Sequence, residues 1–264
     1  MNQKLAFSLL LAVVAAAVCA ACAAAPQERA PLEVAPASPP RETMDELIDQ
    51  TFDYEADGDY EFALDAARRA IKLDSDHPMA HFRHGVLLVG TGSYNEALAA
   101  YDQVGRIDPS FDDLEYNRGV CYTEMERWDD ALASYDRALQ QDANFISSHV
   151  NRAHTLIELR RFEDAAQAAG EAIRIEPESE LPHQLRGVAL LNGGDLEEAL
   201  REFDACVALA SDRGVHHFHR GLTLEDLGRI EEAHQAYLKA NELDPSHRGA
   251  RGGCKRTREA LKGA

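Results

Sequence analysis

The chain has 264 residues, 45% hydrophobic and 28% charged, a balance that belongs to a folded soluble protein and excludes a disordered or membrane-embedded one. Its formal net charge of −19 excludes a nucleic-acid footprint, which needs a basic surface. Of its five cysteines, Cys121, Cys206 and Cys254 are scattered and odd in number, so no disulfide framework is expected.

At the N-terminus, Lys4 is the only charge before Glu28, and the apolar run Leu5 to Val18 has the length of a signal-peptide core. Ala20 and Ala21 then precede Cys22. This order resembles a bacterial lipoprotein signal, in which small residues precede a cysteine that is acylated and becomes the mature N-terminus. The resemblance implies a signal peptide over 1–21 and a lipid such as palmitate on Cys22. With Ala23 in place of Asp after the cysteine, it implies the outer membrane. The sequence departs from that pattern at Cys19, where relatives carry Leu. Two other outcomes stay open. One is cleavage at an Ala-x-Ala site to release a soluble periplasmic protein. The other is an uncleaved anchor, since Leu5 to Ala25 runs uncharged for 21 residues. Residues 22–43 read as a flexible tether, in which Ala23 to Arg41 hold five of the ten prolines and span at most about 60 Å at polyproline rise.

From Met44 the chain divides, without an insertion, into six blocks of 34: 44–77, 78–111, 112–145, 146–179, 180–213 and 214–247. Each block predicts two helices. Position 20 is alanine in every block, from Ala63 to Ala233. Position 8 is Gly85, Gly119, Gly187 or Gly221 in four blocks, Ala153 in another and Thr51 in the first. Position 24 is large in four blocks, as Tyr101, Tyr135, Phe203 and Tyr237, and position 17 is bulky throughout, with Trp128 its largest occupant. A helical glycine costs about 1 kcal/mol against alanine, so its recurrence needs a packing reason. Small residues at 8 and 20 let two helices approach, and large ones at 17 and 24 fill the space left. Pro109, Pro177 and Pro245, at position 32, stop the second helix.

This pattern resembles the tetratricopeptide repeat family over 204 of the 264 residues. The resemblance implies an all-α, right-handed superhelical solenoid of six helix-turn-helix repeats, with a concave groove lined by the first helices. The chain departs at position 4, where His81, His149, His183 and His217 replace the common tryptophan, and at position 7, where Arg118, Arg152, Arg186 and Arg220 replace leucine.

Those arginines predict ion pairs between adjacent blocks: Asp102 with Arg118, Asp136 with Arg152, and Asp204 with Arg220. Arg186 is expected to differ, because Gly170 stands where its carboxylate would be. His216, His217 and His219 form no complete ligand set and read as packing or surface histidines, so no metal is expected. The family's groove positions 5 and 9 are apolar here and give Phe82, Val86, Tyr116, Val120, Val150, Val188, Phe218 and Leu222 as candidate partner-binding residues. Glu55, Glu124, Glu158, Glu225 and Asp226 form an acidic rim, which suits an amphipathic helix or extended peptide with basic flanks. The competing expectation is that these apolar residues are consumed in packing between helices. The carboxylate-clamping set of some relatives is missing from positions 5 and 9.

The tail, 248–264, carries six basic residues against Glu259. It reads as a capping helix from about Gly253 to Lys262 leaning on the last block; contact with an anionic membrane or acidic partner is the alternative. No nucleophile elbow, phosphate loop or HExxH motif occurs, so neither an enzyme, a cofactor nor a small-molecule substrate is expected. The expected function is a protein-binding adaptor of the cell envelope. Repeat count and anchoring resemble the pilotin lipoproteins that assemble the type IV pilus secretin. A self-associating structural module is the contrasting class.

Overall fold

The computed structural model describes residues 42–263, so the signal segment, Cys22 and most of the tether lie outside the described residues. Within them there are thirteen α-helices and no strand. In chain order they pair as α1 (Met44–Ala56) with α2 (Tyr60–Leu73), α3 (Pro78–Gly90) with α4 (Tyr94–Ile107), and α5 (Leu114–Glu124) with α6 (Trp128–Gln141). There follow α7 (Ile146–Glu158) with α8 (Phe162–Ile175), α9 (Glu180–Gly193) with α10 (Leu196–Leu209), and α11 (Gly214–Asp226) with α12 (Ile230–Leu243). A last helix, α13 (Arg248–Gly263), packs on α12. Each helix meets chiefly its neighbours in sequence, so the core is a row of apolar clusters and has no single centre.

The chain turns by the same device at every joint within a pair. Position 15 has a positive φ in all six blocks: Gly58, Gly92, Gly194 and Gly228, but also Glu126 (55°) and Arg160 (59°). The following amide then reaches back to the end of the first helix, as Arg127 N does to Tyr122 O at 2.8 Å. That closes a Schellman-type cap and starts the second helix at once. Each second helix ends at position 30, its last amide bond running from position 31 to the carbonyl of position 27, and the prolines lie just beyond. At the chain's first helix a capping box between Thr43 and Glu46 supplies the start.

The distance between paired helices is set by position 8 against position 24. A Cβ placed on Gly85, Gly119, Gly187 or Gly221 would come within 3.0 Å of the ring of Tyr101, Tyr135, Phe203 or Tyr237 respectively. All four rings are fully buried. Where the ring is missing, position 8 grows: Ala153 stands opposite Ala169, and Thr51 opposite Ala67. These two pairs carry a small residue on both sides and so lack the ring contact of the other four.

The capping helix differs from the sequence expectation. It begins at Arg248 and not near Gly253, because Gly249, Gly252 and Gly253 do not break it. Two of them are contact glycines: a Cβ on Gly253 would strike Tyr237, and one on Gly249 would strike Phe218. Arg256 clamps the helix to the preceding pair through both carboxylate oxygens of Glu225, at 2.9 and 2.7 Å.

Gly119→Ala should cost about 1–3 kcal/mol by overpacking against Tyr135, and Tyr135→Leu in the same chain should recover part of it. Glu126→Gly should gain about 0.5–1 kcal/mol by relieving a left-handed side-chain residue. Both are read from urea midpoints.

Candidate functional site

The eight predicted groove residues sit on the first helices of their pairs, and none is among the exposed residues. Position 5 is largely consumed in packing. Phe82 lies against the rings of Tyr101 (centroids 5.8 Å) and Phe111 (4.9 Å), and Tyr116 against Tyr135 (6.1 Å) and Phe145 (4.9 Å). Phe218 repeats this with Tyr237 (6.0 Å) and His247 (4.4 Å). Each such ring is wedged between the position-24 ring of its own block and the ring at position 34. The Tyr116 hydroxyl also accepts from Asn151 Nδ2 at 3.2 Å. Val150 packs on the cluster around Leu156 and Leu185, and Val188 is buried outright. Val86, Val120 and Leu222, at position 9, stay partly open. The apolar floor is therefore narrower than the sequence suggests, because the aromatic rings turn inward to fill the gap between successive pairs.

The acidic rim is uneven. At its two ends the carboxylates are engaged by arginines from the next unit: Glu55 by Arg83, which lies 3.6 Å above the Phe52 ring, and Glu225 by Arg256. The Arg256 guanidinium and the Tyr237 hydroxyl hold the Glu225 carboxyl below its usual range. In the middle, Glu124 accepts from the Tyr94 hydroxyl at 3.3 Å, and Glu124 and Glu158 both remain exposed. Each lies one helical turn beyond a position-9 residue, Val120 and His154 respectively. The resulting surface has half-covered apolar residues at Val86, Val120 and Leu222, interrupted by His154 and the buried Val188, with exposed carboxylates one turn away.

The arginine struts lie between pairs. Arg118 Nη2 donates to Asp102 at 2.5 Å, Arg152 Nε to Asp136 at 2.6 Å, and Arg220 Nε to Asp204 at 2.6 Å. The three aspartates are about half exposed, so each link contributes little by itself. Arg186 turns to Glu202 of its own pair at 2.6 Å, and the same carboxylate takes His183 Nδ1 at 2.7 Å. Sequence reasoning missed Glu202. The signal was there: position 23 is Ala66, Ala100, Ser134, Ala168 and Ala236 elsewhere, all buried, so a glutamate in that place must meet a partner. It supplies the carboxylate that Gly170 does not.

The histidines have structural contacts. At position 4, His81, His149, His183 and His217 each place Nε2 at 2.9–3.0 Å from the carbonyl of position 32 in the preceding block, closing the turn between pairs. His216 is buried, with Nε2 2.7 Å from Glu180, which also pairs with Arg213. His219 stacks on Phe203 (5.2 Å), and burial pushes its pKa down to about 4. No group of side chains suited to a metal occurs among the described residues. Cys121 and Cys206 are buried small apolar residues whose thiols burial pushes up to about 12. Among the described residues no helix is long and apolar enough to cross a membrane.

Models of the tetratricopeptide repeat match residues 53–110, 113–145, 150–213 and 217–247. No curated protein matches the sequence. Among solved structures, the fold is similar to YrrB, described as a TPR protein with an unusual peptide-binding site: 23% identity, 72% of this chain and 98% of that one, TM-score 0.64. It is also similar to PilW, a type IV pilus biogenesis factor: 15% identity, 79% of this chain and 97% of that one, TM-score 0.69. For pilF of Pseudomonas aeruginosa the figures are 16% identity, 79% and 95% coverage, and a TM-score of 0.67.

Two predictions arise here. Glu202→Ala, which strands Arg186 and His183, should cost about 1–3 kcal/mol, and adding Gly170→Asp should restore part of it, as read by denaturant titration. The second concerns pH. His219 stays neutral in the fold down to about pH 4, while an unfolded histidine takes up a proton near 6.5, so stability should fall as pH drops through that window. His219→Phe should flatten the dependence of the urea midpoint on pH. The repeat models account for most of the chain and the helix pairs have the matching geometry; the protein belongs to the tetratricopeptide repeat family, whose repeats mediate protein–protein interactions.

Proposed function

We propose that this protein is a non-enzymatic adaptor of the cell envelope, held by a lipid on Cys22, that binds an amphipathic or extended segment of a partner protein along its inner face. The observation that carries the binding reading is the half-covered position-9 residues Val86 and Val120 of adjacent blocks, with Leu222 of the last, beside exposed Glu124, Glu158 and Asp226. Shallow apolar contact beside exposed carboxylates favours a partner whose few apolar side chains are spaced by lysines or arginines. The narrowness of the floor favours an edge-on peptide over a deeply inserted helix. The envelope reading rests on the apolar run before Cys22 and the proline-rich stretch after it. The similarity to PilW and pilF is one of fold and names neither a location nor a partner.

The test of binding is photocrosslinking in cells from Val120 and Glu124, each replaced by a photoreactive residue, against Asp136 on the opposite helices as control. A discrete partner captured from the first two and not the third supports the reading; equal capture from all three removes it. Glu124→Lys with Glu158→Lys should reduce capture by about tenfold or more, given the energy typical of such charge pairs. For the anchor, palmitate should label the wild type and not Cys22→Ala, and equal labelling would exclude lipidation at that residue.

A further inference from the structure

We propose that the two open ends of the solenoid bind each other between copies of this chain, head to tail, with the basic outer face of α13 set against the acidic outer face of α1. This surface is separate from the inner face and does not depend on the adaptor reading.

The first half of the site is read from register. In every later block, positions 3 and 10 of the first helix are buried because they face the preceding pair: Leu114 and Cys121 are examples, packed in the cluster of Tyr101 and Val104. Among the described residues no pair precedes the first block. There positions 3, 6 and 10 are Glu46, Asp49 and Asp53, all exposed. A surface that elsewhere is built for contact carries three carboxylates.

The second half mirrors it. α13 takes the place of the first helix of a seventh block: Ala250, Gly253 and Thr257, at positions 3, 6 and 10, are buried on α12. Its outer face is where a second helix would pack. In blocks 2 to 6, positions 8 and 11 there are a glycine or alanine and a leucine or tyrosine; here they are Lys255 and Arg258, with Arg251 one turn before. All three are exposed, and none has an ion pair among the described residues. In a chain of net charge −19 this is a segregated cationic stripe.

The spacings fit. Residues 251, 255 and 258 advance by four and three along α13, and 53, 49 and 46 retreat by four and three along α1. An antiparallel arrangement, the one that paired helices joined by short turns adopt, therefore sets three cations against three anions in one register. Four of the five exposed large apolar side chains lie in the first and last pairs, and the fifth, Leu209, lies on α10. Of these, Phe52, Phe62 and Leu73 lie in the first pair. Leu238 lies on α12, lining a shallow depression with Arg251, Lys255 and Arg258. An anionic membrane would account for the basic end but not for carboxylates at contact positions of the other. Solvated caps would account for polarity but not for opposite signs in matching register. Because the joint is heterologous it propagates, giving rings or filaments.

The test is sedimentation of the purified full chain over a concentration series, at low and at high salt, with circular dichroism to verify folding. Mass should rise with concentration at low salt and return to the monomer at high salt, since exposed charges are screened. D49K/D53K alone and K255E/R258E alone should each leave a monomer, and the fourfold swap should restore association. A monomer at low salt throughout would overturn the proposal. So would association indifferent to the Asp49 and Asp53 reversals, the result expected if residues 1–41 were responsible. Binding of phosphatidylglycerol vesicles that is lost in K255E/R258E, with no change in mass, would assign the stripe to a membrane instead.

Discussion

The contact between a residue with no side chain, or almost none, and a buried aromatic ring governs this molecule. Gly119 under Tyr135 is the clearest case: the ring occupies the space of the missing Cβ, and the two helices close to a separation that no larger residue at position 8 would allow. That contact sets the helix spacing in four pairs, and the left-handed turn at position 15 recurs in all six. Two pairs depart from the ring contact: Ala153 stands opposite Ala169 and Thr51 opposite Ala67, with a small residue on each side.

Between pairs the chain uses polar links that vary more freely. The position-4 histidines reach the carbonyl of the preceding turn, and the position-7 arginines reach a carboxylate of the preceding second helix. Where that carboxylate is missing, at Gly170, a buried glutamate inside the next pair takes over its arginine. Such exposed links are weak one by one. Their regular placement gives each of these arginines and position-4 histidines a partner at the edge of an apolar core, where an unpaired charge would be costly, although Arg118 Nε and His149 Nδ1 are left without one. The same logic leaves the outer ends of the array as the places where charge can be set by something other than packing.

The inner face shows how fold and function compete for the same side chains. An aromatic residue at position 5 is apolar, sits on the concave side and is available to a ligand by sequence criteria. In Phe82, Tyr116 and Phe218 the ring instead bridges position 24 of its own block and position 34, since each pair must bury its face on the next. What is left for a partner is the edge of the strip and the carboxylates one turn away.

The sequence by itself determined the helix pairs, their 34-residue period, the close contact at positions 8 and 24, and the family, because each depends on side-chain size at fixed helical spacing. It also placed Asp102, Asp136 and Asp204 sixteen residues before Arg118, Arg152 and Arg220, and the structure sets each pair in contact. Tertiary structure alone decided the rest. The capping helix begins at Arg248 and not near Gly253, with Gly249 and Gly253 inside α13 against the rings of Phe218 and Tyr237. Glu202 meets both Arg186 and His183, a convergence of one second helix on its partner that spacing does not encode. The openness of the groove was likewise undecidable from spacing. Helical periodicity says which face of a helix a residue is on, but the neighbours that cover that face come from the next pair, and only the assembled array shows how far they reach.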